Sequence, residues 1–487
     1  MGKNQSKSTH MEYIALKEKW FSHYQSAEEQ LAKMSEVKGL ISAFNTNIDA
    51  VIKVSGEKIA EIITSNGLNE AELTIDGAKS INSNEDAIRG FIHCFKGGIA
   101  EEWLIEDVAV FEWLNKSLGY DNLQMGGQGG IVANAMAVCG VQDVYIHTAS
   151  SPEEQSKLFL DLPNLKNIDE NGNIKKAYDS SRSKDIPLIH WIIEFDKGDT
   201  VSVNGATYTC PKANRFIATY DPLNFKLAID PAFAEVMSKP ETALDCIILS
   251  GYQMLSSQLP DGESAMDRID ESKKIVNSWR KQGSNDILHF EIASTQDKVV
   301  RKYLVDYLAG EVDSIGFNER ELIDVLEVIG ETALAEACDK ETNSSNLFKG
   351  MVKIFNYINC PRLQLHMFGL YITLQKKGFK VTPLQNRKGM QLAANIAATK
   401  AGTGSINSKD ILLWSKDQKV SDIGLNELKG LSDTVAEIYG ANDLLEEGIF
   451  ENDAIEIIAV PTIIIDNPIT LVGMGDTISS ISLVAAR

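Results

Sequence analysis

No run of eighteen or more uncharged apolar residues occurs in the sequence, which excludes a conventional membrane-spanning helix. Cysteine is sparse and scattered. Cys94, Cys139, Cys210, Cys246, Cys338 and Cys360 form no CxxC or zinc-like spacing, and they read as reduced, buried thiols of a cytoplasmic protein. Positive charge is short as well: 47 Lys and Arg against 68 Asp and Glu leave a formal charge of −21. Such a chain is a poor partner for nucleic acid or an anionic membrane. A bound nucleotide would therefore need local positive charge or backbone N–H groups. A saline cytoplasm and ordinary cytosolic acidity both account for this balance. Internal repeats, low-complexity linkers and an apolar signal segment are also lacking.

The opening MGKNQSKSTH matches a Met-Gly-x-x-x-Ser myristoylation pattern. However, His10-Met11 resembles a cloning scar, and EYIALKEKW starts an amphipathic helix directly afterwards. Residues 1–10 are accordingly expected to be a vector-derived leader, with the natural start at Met11.

What is present is a chain of 487 residues with 44% hydrophobic content, enough for a large domain and a smaller one. Strand-like runs (KGLISAF, DVYIHTA, LDCIILS, DILHFEIA, DSIGF, RLQLHMF, IEIIAVPTIII) alternate with helix-like ESKKIVNSWRKQG, QDKVVRKYLVDYLAG and ERELIDVLEVIG. This alternation predicts an α/β fold whose mostly parallel central sheet is flanked by helices. Between Ile186 and Tyr220 the pattern changes to aromatic and β-branched runs joined by Gly/Asp turns, the mark of hairpins. AVIKVSGEKIAEII and GGIAEEWLIED are expected to add strands. The reading is a small β-rich lid (parts of 51–121, and 176–221) interleaved with a large domain (11–50, 122–175 and 222–487).

Five constellations carry chemistry. In LVGMGDTISS, Gly473 and Gly475 let backbone N–H groups approach an anion at a helix start expected near Thr477. Asp476 beside them could accept a proton from an attacking hydroxyl, or simply cap the helix. In FNERE, Asn318 and Glu321 form either a capping box or a water-mediated Mg²⁺ site. In LHFEIAS, His289 and Glu291 stand two apart and share a strand face. In AFNTNIDAVIKV, Asn45, Asn47 and Asp49 suit either a turn or sugar hydroxyls. In MGGQGGIVAN, four glycines surround Gln128 without the Gly-Lys-Ser/Thr of a Walker A loop; they allow either backbone contact with a substrate or tight packing.

In this order, the five motifs resemble the ADP-dependent sugar kinases of archaea, the glucokinase and phosphofructokinase branch of the ribokinase-like superfamily. The resemblance covers essentially the whole chain after the leader. It implies a ribokinase-like large domain and a lid closing over sugar and ADP. Asp476 would be the catalytic base, with N–H groups around Gly473 and Gly475 stabilising the transferring phosphoryl group. Glu291 and Glu321 would position Mg²⁺. Asn45, Asn47, Asp49, Gly127, Gln128 and Gly129 would lie on the sugar side. Asn318, His366, Val460 and Gly475 would lie near the nucleotide.

The acceptor is harder to read. Arg215 in PKANRFI is the candidate partner for a sugar phosphate, because its guanidinium matches phosphate bidentately; Lys176 is a weaker one. Against a strict phosphofructokinase, GGIAEEW places Glu101 and Glu102 where glucokinases carry a sugar-binding glutamate. The expected activity is ADP-dependent 6-phosphofructokinase with glucose as a second acceptor. An ADP-dependent glucokinase or bifunctional enzyme, an ATP-dependent ribokinase-type kinase and a non-catalytic sensor are the alternatives. Small molecules are the expected partners, and the chain is expected to be a monomer or weak oligomer in the cytoplasm.

Overall fold

The computed structural model describes residues 2–73, 80–259, 261–281, 283–470 and 474–487, without the side chains of 2–10, 70, 71 and 476. Among the described residues an eleven-stranded sheet forms the larger part. Its centre is seven parallel strands in the spatial order Arg362–Met367, Ser314–Phe317, Ile287–Glu291, Cys246–Leu249, Gly39–Ala43, Asp143–Ile146 and Leu165–Ile168. Antiparallel strands flank it: Leu370–Lys376, Ile455–Pro461 and Ile449–Glu451 on one side, Ile174–Lys176 on the other. The central strands are buried on both faces, as in CIIL and SIGF, which is why their apolar runs are continuous rather than alternating.

The smaller sheet has six strands, ordered Ser80–Ile81, Glu101–Ile105, Asn214–Tyr220, Ile189–Phe195, Asn47–Lys53 and Asn122–Gly126. A separate hairpin pairs Thr200–Val203 with Ala206–Thr209, within the stretch where hairpins are expected, but the run before DKGD, Ile189–Phe195, pairs with Asn214–Tyr220 rather than across that turn. This sheet alternates. Ile48, Trp191, Ile193, Phe216 and Trp103 fill one face with a second apolar core, and the residues between them point the other way.

The chain crosses between the sheets four times, at residues 44–46, 127, 177–188 and 221–245. The borders differ from the expected ones by a few residues. Asn47 already starts a small-sheet strand, Asn122–Gly126 belongs to that sheet, and Ile174–Lys176 belongs to the large one. One expected strand is half helix. After Asn47–Lys53, GEKIAEIITS winds into a helix capped by Ser55, whose side chain accepts from the Lys58 N–H. Ile59, Ile62 and Ile63 bury one face of it, the i, i+3, i+4 spacing of an amphipathic helix. QDKVVRKYLVDYLAG likewise splits into an α-helix (Lys298–Tyr303), a π-turn (Leu304–Leu308) and a 3₁₀ turn (Ala309–Glu311).

At the start of the chain one helix runs Gly2–Tyr24. At its end, the helix Met474–Val484 packs between Pro383–Thr403 and Gln128–Cys139. All six cysteines are free and buried, and no helix among the described residues is long and apolar enough to cross a membrane.

Candidate active site

The polar face of the smaller sheet looks onto the carboxyl ends of the parallel strands. There a cavity of about 330 Å³ is lined by Asn45, Asn47, Asp49, Gln128, His190 and Arg215, with Glu102 and Gln253. Period-2 geometry explains the set: Asn47 and Asp49, His190 and Ile192, Arg215 and Ile217 are i, i+2 pairs on adjacent strands. Asn47 Nδ2 donates to Asp49 Oδ1 at 2.8 Å, and Gln128 Oε1 accepts from the Gly251 N–H at 3.1 Å. Gly127, at φ +76°, leaves no room for a Cβ against the Asn45 carbonyl. Asn45 itself holds a left-handed φ of 61°. Its Oδ1 and that of Gln253 (Oε1) are buried with no hydrogen-bond partner among the described residues, so both await a donor from a ligand or water.

Charge in this cavity is balanced rather than absent. Burial raises the pKa of Asp49, opposed by nearby His190 and the Asn47 hydrogen bond. Burial works against a charged His190, but its bond to Asp221 (3.0 Å) and the carboxylates of Glu102 and Asp49 outweigh it and raise its pKa. Glu102 Oε1 also accepts from Thr219 Oγ1 at 2.7 Å.

A second cavity, of about 610 Å³, opens on the other side of the strand ends. Asn318, Tyr371, Ala398, Ile463, Met474 and Gly475 are among its walls, and Phe368 stands exposed at its rim. Its surface is mostly apolar, and no Lys or Arg lines it among the described residues. An anion held here must be met by backbone N–H groups or a metal ion.

Beside the second cavity, whose lining includes His366, lies a buried cluster. Ligand atoms of Glu291, Glu321 and His366 fall within 4.8 Å of one another, so the cluster could hold a divalent cation, with oxygen donors from two carboxylates and a ring nitrogen. Glu321 forms the capping box that the sequence allowed, and its carboxylate also belongs to this cluster. Asn318 Oδ1 accepts from its N–H at 3.0 Å, while Glu321 Oε2 accepts from the Asn318 N–H at 2.8 Å. This reciprocal cap fixes the carboxylate that faces Glu291. His289 Nε2 lies 3.0 Å from Glu291 Oε2 and 3.2 Å from Ser479 Oγ on the C-terminal helix. His366 Nε2 lies 3.6 Å from Glu291 Oε1, and its Nδ1 has no partner among the described residues. Burial pushes His366 down to about 4. Burial, with the Arg362 guanidinium behind it, holds His289 well below the usual imidazole value. Both imidazoles are therefore neutral near pH 7. Gly316 makes the cluster sterically feasible, since a Cβ there would collide with the Glu291 carboxylate and the Ser479 hydroxyl.

Four expected site residues fall elsewhere. Glu101 faces the far side of its strand, beside His93 and accepting from Trp103 Nε1 at 2.9 Å; strand alternation puts its neighbour Glu102 in the cavity instead. Gly129 is committed to packing: its N–H donates to the Asn45 carbonyl at 2.9 Å, and its carbonyl accepts from Ser42 Oγ. Val460 is fully buried inside its strand opposite Tyr371, and the residues after it, Thr462–Ile465, line the second cavity. Lys176 is engaged by Asp161 and Asp179 at the edge of the large sheet. Gly473 and the side chain of Asp476 lie outside the described residues. The helix they introduce begins at Met474, three residues before its expected start, and Gly475 abuts His366 Nε2.

Sequence reading missed His190, Gln253, Gly316 and Ser479. Gln253 had a signal, since GYQM directly follows the strand-like LDCIILS and so falls at a strand's carboxyl end. The other three depend on neighbours distant in sequence.

Two cavities at the carboxyl ends of a doubly covered parallel sheet, with an acid pair and a helix start at the second, fit a group-transfer enzyme of α/β class. A model of the ADP-specific phosphofructokinase/glucokinase conserved region matches residues 38–485. An ADP-dependent glucose/glucosamine kinase of Pyrococcus furiosus is 30% identical, covering 95% of this chain and 97% of its own. An ADP-specific phosphofructokinase of Methanosarcina acetivorans is 27% identical over 92% of both chains. A solved ADP-dependent kinase complex with fructose-6-phosphate and ADPbetaS superposes with a TM-score of 0.78 at 27% identity, covering 96% of this chain and 97% of its own. The chain belongs to the ADP-specific phosphofructokinase/glucokinase family, and it is an ADP-dependent sugar kinase.

Proposed function

We propose that the protein transfers the terminal phosphoryl group of ADP to the free primary hydroxyl of fructose 6-phosphate, giving fructose 1,6-bisphosphate and AMP in the cytoplasm, as a glycolytic step. The observation that carries the acceptor is Arg215, whose guanidinium shares the 330 Å³ cavity with Asn45, Asn47, Asp49 and Gln128. That cavity offers both hydroxyl-binding groups and a cation for the sugar's own phosphate. Glu102 in the same cavity suits a neutral hydroxyl, and this favours glucose as a second acceptor.

In the reaction the acceptor oxygen attacks the β-phosphorus while the bond to the bridging oxygen breaks, releasing AMP. Asp476 takes the hydroxyl proton. Backbone N–H groups around Gly473 and Gly475 receive the transferring oxygens, and loss of one such donor typically costs ~10²–10³ in rate. Glu291 and Glu321 would hold Mg²⁺ or another divalent cation, which when bound would supply positive charge for the phosphates beside a cavity that has no lysine or arginine among its described lining residues. Asn318, His366 and the 462–465 segment border the nucleotide. The smaller sheet serves as a lid, moving about the four crossings, and excludes water once both ligands are bound.

Arg215→Ala tests the acceptor assignment. Its KM for fructose 6-phosphate is expected to rise at least tenfold while that for glucose changes little. Equal losses for the two sugars would place Arg215 on the ADP phosphates instead.

A further inference from the structure

Five neighbouring strands of the larger sheet carry buried polar side chains directly opposite one another. In register, His289 faces Ser314, Ser314 faces Arg362, Arg362 faces Gln375, and Gln375 faces Glu456. His289, Ser314, Arg362 and Gln375 are completely buried and Glu456 nearly so. The bonds run outward from the arginine in both directions. On one side Arg362 Nη2 donates to Asn386 Oδ1 (3.0 Å), Asn386 Nδ2 to Gln375 Oε1 (2.7 Å), and Gln375 Nε2 to Glu456 Oε2 (2.6 Å). On the other side Arg362 Nη1 donates to Ser314 Oγ (2.8 Å), which lies 2.9 Å from His289 Nδ1, and His289 Nε2 lies 3.0 Å from Glu291 Oε2.

A fully buried guanidinium costs several kcal/mol of desolvation, and apolar replacements of buried ionic groups are often neutral or stabilising. Stability alone is therefore a weak reason for this one. What it does have is a direct line to the acid cluster. A carboxylate can only accept, so His289 Nε2 carries the hydrogen. The Ser314 oxygen takes the Arg362 N–H and lies within hydrogen-bond distance of His289 Nδ1, so guanidinium, hydroxyl and ring form one continuous line to Glu291 in which each bond polarises the next.

We propose that Arg362 is a positioning residue, which orients the Glu291 carboxylate for the divalent cation through Ser314 and His289. This rests on the reading of Glu291 as a cation-holding residue. Arg362 touches neither substrate, and its influence stops at that carboxylate.

The test is Mn²⁺ binding to the full-length protein, followed by electron paramagnetic resonance, together with the downfield imidazole N–H resonance of His289. In Arg362→Met, Mn²⁺ affinity is expected to fall about tenfold or more, as for other groups that orient metal ligands. The His289 resonance should shift upfield or be lost to exchange, and the KM for fructose 6-phosphate should stay within twofold. Arg362→Lys should recover part of the affinity. Glu456→Gln loosens the same ladder at its far end and should leave Mn²⁺ binding intact. If Arg362→Met does not fold, Ser314→Ala cuts the relay with Arg362 in place and carries the same expectation. An unmoved His289 resonance, unchanged Mn²⁺ affinity, or an equal loss in Glu456→Gln would overturn the proposal and leave a structural polar core. Failure of the wild-type protein to bind Mn²⁺ at all would sink the cation reading of Glu291, and with it a metal-orienting role for Arg362, whereas the resonance would still report whether the relay exists.

Discussion

Single side chains in this site work because particular neighbours are absent or committed. Gly316 illustrates the first case. Its missing Cβ is the space occupied by the Glu291 carboxylate and the Ser479 hydroxyl. Gly316→Ala must displace one of them, and since Glu291 is tied to His289 the expected result is a loss of at least about tenfold in kcat with little change in sugar KM. Steady-state kinetics at saturating Mg²⁺ would check it; a near-normal kcat would mean that Glu291 can move without consequence. Asp476 belongs to the same scale. Asp476→Asn should keep ADP and sugar binding and lose about 10²–10⁴ in kcat, the usual contribution of a positioned base. Calorimetric affinities beside kcat decide this, and a variant with near-normal turnover would remove Asp476 from the base role.

Elements set which residues can meet, and much of that was legible from sequence. The continuous apolar runs CIIL and SIGF announced buried parallel strands, and the β-branched runs with Gly/Asp turns between Ile186 and Tyr220 announced a hairpin region, though not which runs pair. The i, i+2 spacing of His289 and Glu291 placed both on one face, whereas Asn47 and Asp49, read as a turn or sugar-binding segment between strands, lie within a strand of the smaller sheet. Glu101 and Glu102 were ambiguous because alternation fixes only that they point opposite ways; the register of Glu101–Ile105 against Asn214–Tyr220 decides which one enters the cavity. His190 and Ser479 were illegible for a related reason, as their partners lie on other strands and helices. The C-terminal helix shows how elements carry function. It packs against Pro383–Thr403 so closely that a Cβ on Gly389 would collide with the Ser482 carbonyl. Both helices line the second cavity. Gly389→Ala gains up to about 1 kcal/mol of helix propensity but overpacks against backbone that cannot yield, a cost of about 1–3 kcal/mol. A lower Tm is expected, with a KM for ADP that rises more than the KM for fructose 6-phosphate. An unchanged Tm would mean that the two helices separate freely.

At the scale of the whole molecule, the four crossings bring both sheets to one cleft, and buried histidines tie that arrangement to pH. His147 lies beside the crossing at residues 44–46, where its Nε2 accepts from the Asp230 N–H at 2.9 Å, and burial pushes it from 6.5 down to about 3. Its folded pKa is depressed, so below pH 6.5 the unfolded chain binds the extra proton and stability falls as pH drops. At pH 5 this one group should remove about 2 kcal/mol relative to pH 8. Denaturant unfolding of wild type and His147→Asn at the two pH values should differ by that amount; parallel curves would contradict a buried neutral imidazole. In the proposed reading acceptor and donor occupy separate cavities, with Arg215 in the first and no lysine or arginine among the described lining of the second. The most direct measurement is AMP production from ADP and Mg²⁺ with fructose 6-phosphate or with glucose as acceptor. The account predicts stoichiometric AMP and fructose 1,6-bisphosphate with the sugar phosphate, and slower AMP release with glucose. Turnover of glucose with none of fructose 6-phosphate would contradict it.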